Sequence, residues 1–134
     1  MEVVYYLDEG LEICPVKEYL ENLLPNNPER RVRLLAQIDQ KVEFIMENPG
    51  REASFIGTLH GHNFLEIQNG KDESKVIRIL YSIHNGKIVL LNAFEKPNKY
   101  DTNKVKKMVE KHYLVTDTYL VKFKKNPNSY EIYK

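Results

Sequence analysis

The stretch VIRILYSIHNGKIVLLNAFEKPNK, residues 76–99, decides the fold. At its middle Asn85-Gly86 separates two runs rich in β-formers. That dipeptide is the strongest two-residue hairpin signal, because a type I′ turn needs positive φ at both central positions. Pairing outward from His84 opposite Lys87 sets Ile83 against Ile88, Tyr81 against Leu90, Ile79 against Asn92 and Ile77 against Phe94. This face is mostly apolar and is expected to cover a core. The other face pairs Ser82 with Val89, Leu80 with Leu91, Arg78 with Ala93 and Val76 with Glu95. Arg78 is then a lone cation on a small or aliphatic surface, with Lys96 and Lys99 arriving just past the strand end. A cleft with cations at its rim suits a phosphate-bearing ligand.

Upstream of the hairpin, the β-formers Val3, Val4, Tyr5 and Tyr6 predict a first strand that ends at Asp8-Glu9-Gly10. Pro15 fits the first turn of a helix with Val16, Tyr19, Leu20 and Leu23 on one side. Asn27 is placed to cap a second helix with Pro28 at its first position. Along it Leu34, Leu35, Ile38, Val42, Ile45 and Met46 recur at helical spacing, until Asn48-Pro49-Gly50 stops it. Short strands are expected around residues 55–59 and 64–68. Downstream, residues 98–113 read as a helix with Val105, Met108, Val109 and Tyr113 on its apolar side. Alternation over residues 118–123 puts Tyr119, Val121 and Phe123 on one side, as an added edge strand needs. The expected fold class is α+β: an N-terminal strand and a helical hairpin packed on a curved antiparallel sheet, then a C-terminal helix and a short extra tail. Residues 1–113 form the main domain, and residues 114–134 are an ordered extension packed on it.

A chain of 134 residues is one domain by length, able to bury roughly two thirds of its unfolded surface. With 42% hydrophobic and 29% charged residues, an ordinary globular domain is expected rather than a disordered one. No apolar run approaches the roughly 18 residues of a membrane span. Glu2, Asp8 and Glu9 stand where a secretory segment would be apolar. The single cysteine, Cys14, rules out an internal disulfide and fits a reducing compartment, so the expected address is the cytoplasm. Net charge is +1, but residues 1–70 carry 12 acidic and 6 basic side chains whereas residues 71–134 carry 7 and 14. That asymmetry points to an acidic partner for the second half, nucleic acid first, against the plainer reading of a solvated helix face.

The order of these elements and the wording of several motifs resemble the RelE/HigB-like toxins, in particular the phage-derived branch of the RelE/ParE toxin superfamily. Residues 1–112 or so carry the resemblance. Its motifs are Cys14-Pro15-Val16, Leu59 followed by Phe64-Leu65-Glu66-Ile67, Ile77-Arg78-Ile79-Leu80-Tyr81, and Ile88-Val89-Leu90-Leu91-Asn92-Ala93-Phe94 with Lys96 and Lys99. It implies a ribosome-dependent mRNA endonuclease, held inactive by a helix-turn-helix antitoxin, that needs neither metal nor cofactor. Such enzymes cleave by attack of the ribose 2′-OH on the adjacent phosphate. Arg78, Lys96 and Lys99 match the catalytic cations, and Glu66, Gln68, Tyr100 and His62 are the candidate substrate contacts. Three positions depart from the pattern. Gln68 stands where relatives have an arginine, Pro97 where a second lysine often follows, and Tyr100-Asp101 where a Thr-Pro pair opens the last helix.

Two other functions remain open beside the nuclease: a non-catalytic nucleic-acid or protein-binding module on the same scaffold, and a gyrase inhibitor of the ParE type. The Arg78/Lys96/Lys99 set favours the nuclease over the gyrase inhibitor, while Gln68 and Pro97 favour the non-catalytic module. His60-Gly61-His62 invites a metal reading, but no further ligand follows at useful spacing. Either histidine serves as a general base if it faces the cleft. Cys14 lacks a recognisable Cys/His partner motif. Glycine-rich phosphate loops and Gly-x-Ser-x-Gly elbows are absent from the sequence.

Overall fold

The computed structural model describes residues 1–98 and 102–133. The elements run β1 (Glu2–Tyr6), α1 (Pro15–Glu21), α2 (Pro28–Glu47), β2 (Ile56–Thr58), β3 (Leu65–Gly70), β4 (Lys75–His84), β5 (Lys87–Pro97), α3 (Asn103–Lys125) and β6 (Tyr130–Ile132). Local chemistry places the helix starts. Pro15 occupies the first turn of α1. The Asn27 side chain accepts from the Arg30 N–H at 3.2 Å, a cap worth about 1 kcal/mol. Arg31 reaches back from α2 and donates to the carbonyls of Leu20, Glu21 and Leu23. It thereby satisfies acceptors that the end of α1 leaves open.

The six strands form one sheet in the order β2-β3-β4-β5-β1-β6. It is mixed rather than purely antiparallel, because β1 runs parallel to β5 while every other neighbouring pair is antiparallel. The chain leaves β1 through both helices and the whole β2–β5 meander, so it returns beside β1 in the same direction. The position of β1 between β5 and β6 explains its unbroken run Val3-Val4-Tyr5-Tyr6. Val3 and Tyr5 enter one core, Val4 and Tyr6 the other, and all four are buried.

The first core joins Ile77, Ile79, Tyr81, Ile88 and Leu90 of the sheet to Val16 and Leu20 of α1 and to Leu34, Ile38, Val42 and Ile45 of α2. Each buried side chain of this size contributes about 1.5–3 kcal/mol. The second core lies on the opposite face, where Leu80, Val89, Leu91 and Phe94 meet Val109, Leu120 and Phe123 of α3. No helix among the described residues is long and apolar enough to cross a membrane.

The hairpin turn is as expected, with Asn85 at φ 50° and Gly86 at φ 78°, and the first four pairs from His84–Lys87 to Tyr81–Leu90 match the expected register. Beyond them a β-bulge intervenes. Leu80 pairs with Asn92, Ile79 with Ala93, Arg78 with Phe94, Ile77 with Glu95 and Val76 with Lys96, which leaves Leu91 as the extra residue. The pairing of Arg78 with Ala93 is therefore corrected to Phe94. Leu91 and Asn92 both turn toward α3, as the two residues of a bulge do. The Asn92 carboxamide supports the bend: it accepts from the Ala93 N–H at 2.9 Å and donates to Thr116 Oγ at 3.2 Å. Every residue of β5 after the bulge changes face. Phe94 and Lys96 move to the side of Arg78, and Glu95 moves to the side of α1.

The C-terminal part also differs from expectation. Residues 118–123 are not an edge strand but the last turns of α3, which runs without interruption past residues 113 and 114. Thr116, Leu120 and Phe123 are buried along it at helical spacing. Packing of that stripe outweighs the strand preference of the β-branched and aromatic residues Val115, Thr118, Tyr119 and Val121. The added strand comes later. β6 pairs with β1 through Val4–Ile132, Tyr5–Glu131 and Tyr6–Tyr130.

Candidate functional site

The bulged end of β5, the middle of β4, the loop before β3 and the first half of α3 enclose a cleft of about 320 Å³. Arg78 and Lys96 line it together, as do His60 and His62 from the loop, and α3 contributes Lys106, Glu110 and Tyr113. The α3 residues recur at helical spacing, and Asp117 follows one turn further on the same side.

Arg78 is not a lone cation. Its guanidinium donates to Glu66 Oε1 at 2.9 Å, with the arginine side chain 16% exposed and the glutamate 3%. Arg78 Nε is buried and has no hydrogen-bond partner among the described residues. Both Glu66 oxygens are engaged: Oε1 also accepts from Gln68 Nε2 at 2.9 Å, and Oε2 accepts from the Tyr113 hydroxyl at 3.1 Å. Gly57 lies across from Glu66 in the ladder. A methyl group there would come within 3.0 Å of both Glu66 and Gln68, so the glycine makes room for the pair. Burial, then the Glu66 carboxylate, pushes the Tyr113 hydroxyl up to about 12, which keeps it a donor.

His62 occupies the wall of the cleft. Its Nδ1 meets both carboxylate oxygens of Asp117, at 2.9 and 3.1 Å. Its ring lies 5.0 Å from that of Phe64 and 5.3 Å from that of Tyr113. The imidazole is therefore held in one orientation, with Nδ1 engaged and Nε2 without a partner among the described residues. His60 is exposed. His112 stacks on Phe94 at 4.4 Å, and burial followed by the Lys111 ammonium pulls its imidazole below the ordinary 6.5. No group of three His, Cys, Asp or Glu side chains suited to a metal gathers among the described residues.

Of the residues that the sequence nominated, the structure brings Arg78, Lys96 and His62 to one cleft, with Glu66 and Gln68 bonded to each other behind Arg78. Lys99 and Tyr100 lie outside the described residues. Cys14 is buried, and its thiol is pushed up to about 12, by burial first and then by its hydrogen bond to Glu131. The sequence reading missed Lys106, Glu110, Tyr113 and Asp117 as one set. Their spacing carries the signal: Lys106, Glu110 and Tyr113 fall within the expected helix, and Asp117 joins them only because the helix continues past residue 113.

This cleft can bind an anion at Lys96 and Lys106 beside the Arg78 guanidinium, and it presents an oriented imidazole next to them. In the comparisons with known proteins, no family model matches the chain, no curated protein matches it, and no solved structure matches it.

Proposed function

We propose that the chain is an RNA endonuclease of the RelE/HigB-like toxin kind. It acts on messenger RNA at the ribosome, in the cytoplasm, by attack of a ribose 2′-OH on the neighbouring phosphate. It works without metal or cofactor and is restrained by a helix-turn-helix antitoxin. The observation that carries this reading is the meeting of Arg78 and Lys96 in one open cleft. The cleft also holds Lys106, and all three of these cations come from the basic half of the chain. In-line displacement at phosphorus accumulates negative charge on the phosphoryl oxygens. Fixed donors aimed at those oxygens lower the barrier because they need no reorganisation during the reaction. Arg78 suits that task, since Glu66 and the surrounding packing fix its planar group at the wall of the cleft.

One observation favours a non-catalytic binding module instead. The ion pair with Glu66 offsets part of the Arg78 charge, and Gln68 supplies no second cation where relatives have an arginine.

Induced expression in a bacterial host separates the two. The nuclease reading expects growth arrest by the unmodified chain, with new 5′ ends on cellular mRNA seen by primer extension. Both are lost in Arg78→Ala and weakened in Lys96→Ala, whose half-buried side chain can be removed at little cost to folding. Arrest without new 5′ ends would support the binding module.

A further inference from the structure

We propose that the His62 imidazole is the proton acceptor of this cleft for a ribose 2′-hydroxyl, and that Asp117 is the residue that positions it. The inference rests on the reading of the cleft as an RNA-cleaving site and adds to it what the cation set lacks, a group that takes the proton. It also gives a function to the continuation of α3 past residue 113, which lies outside the region that resembles the toxin family.

The geometry singles out His62. A base must be oriented, must keep a lone pair free and must stand beside the groups that hold the reacting phosphate. Asp117 meets Nδ1 with both oxygens, at 2.9 and 3.1 Å, so Nδ1–H is the donor and, in the neutral imidazole, the lone pair is on Nε2. Phe64 and Tyr113 pack the ring at 5.0 and 5.3 Å and hold it there. His62 shares the cleft with Arg78 and Lys96.

The other candidates each fail one requirement. Glu66 already accepts from Arg78, Gln68 and Tyr113. His60 and Glu110 line the cleft but are exposed and have no orienting hydrogen bond among the described residues. His112 is stacked on Phe94 and does not line the cleft.

In the step itself the 2′-hydroxyl gives its proton to Nε2 while the 2′ oxygen forms a bond to phosphorus. The bond from phosphorus to the 5′ oxygen of the next nucleotide breaks, and that oxygen takes a proton from water in the open cleft. His62 then returns its proton to the solvent. The products are a 2′,3′-cyclic phosphate and a 5′-hydroxyl. Asp117 stays hydrogen-bonded to Nδ1 throughout and stabilises the imidazolium that forms. The substrate class is single-stranded RNA, and DNA, having no 2′-hydroxyl, is not cleaved.

The test uses the purified full-length chain on an end-labelled RNA, both naked and bound to translating ribosomes. The unmodified chain is expected to leave 2′,3′-cyclic phosphate ends and to spare an RNA carrying a single 2′-deoxy sugar at the scissile position. His62→Ala lowers kcat by about a hundredfold to ten-thousandfold with KM nearly unchanged. Added imidazole restores part of kcat by entering the space between Phe64 and Tyr113. Asp117→Asn lowers kcat by about tenfold or more, again with little change in KM, because it frees the ring to take the wrong tautomer. If His62→Ala fails to fold, His62→Gln is measured in its place. Full kcat in the His62 variant beside a lost kcat in Arg78→Ala overturns the role of His62 and leaves the nuclease reading standing. A loss confined to KM overturns it as well. Absence of cleavage by the unmodified chain on either RNA overturns both.

Discussion

On the α1/α2 face of the sheet, Glu95 accepts the Tyr19 hydroxyl at 2.6 Å and the Lys71 ammonium at 2.9 and 3.0 Å, with Lys75 at 3.9 Å. On the α3 face, Glu66 accepts Arg78 at 2.9 Å together with Gln68 and Tyr113. Both networks sit beside clefts of similar size, about 340 Å³ for the first and about 320 Å³ for the second. Cleft volume therefore does not distinguish them. Leftover charge and donor capacity do. The Glu95 cleft holds a carboxylate surrounded by its own cations, whereas the cleft beside Glu66 adds the ammonium groups of Lys96 and Lys106, against the one further lining carboxylate of Glu110, to a carboxylate already paired. A network that closes on itself serves the fold, while one that leaves donors over beside open space can receive an anion.

The strongest way to break this comparison is to remove one cation from each side. Arg78→Ala is expected to lower RNA cleavage by about a hundredfold or more, and Lys71→Ala to leave cleavage within about twofold while lowering stability by about 1–3 kcal/mol. Cleavage assays and urea unfolding on the two variants decide it. Equal losses of cleavage would erase the distinction between the faces.

A smaller effect is expected from Asn92, which supports the bulge that turns Lys96 toward Arg78. Asn92→Val gives up the bonds to the Ala93 N–H and Thr116 Oγ, and a loss of about 1–2 kcal/mol in urea unfolding is expected. Cleavage should fall by more than this change in stability explains, since Lys96 loses its fixed place. A variant with normal cleavage would show that the bulge is not needed to build the site.

The smallest effect sharpens the structural side. Burial pushes the Glu95 carboxyl up, but the Tyr19 hydroxyl, the Lys71 hydrogen bond and the Lys71 and Lys75 charges outweigh it and hold the carboxyl below its ordinary 4.5. The unfolded chain thus takes up this proton first as the pH falls. The stability contributed by Glu95 is complete above about pH 4.5 and is lost as the pH drops through the range of the folded carboxyl. Melting temperatures followed from pH 7 to pH 3 should fall less steeply in Glu95→Gln than in the unmodified chain. Parallel curves would count against the closed network.

Residues close in sequence explain what could be read without a structure. Asn85-Gly86 fixed the turn and the first pairs beyond it because positive φ is a local demand. Asn27-Pro28 and Pro15 fixed helix starts because a cap involves only its own turn. The apolar spacing of Leu34, Ile38, Val42 and Ile45 fixed the inner side of α2. Arg78 stood out as a cation within a hydrophobic strand. What the sequence could not decide depended on partners far along the chain. The bulge at Leu91 is held partly by Thr116 of α3, so no local pattern separates the observed pairing of Arg78 with Phe94 from its pairing with Ala93. A shift of one residue reverses every face beyond it, and that shift brings Lys96 to Arg78 and sends Glu95 to Tyr19. The segment at residues 118–123 alternates like a strand and also carries a helical stripe. Burial of Leu120 and Phe123 against the sheet selects the helix, and the helix in turn brings Asp117 to His62, 55 residues away in the chain. Local conformation was determined by the sequence alone; tertiary packing decided which side chains share a cleft, because it fixed both the register of β5 and the length of α3.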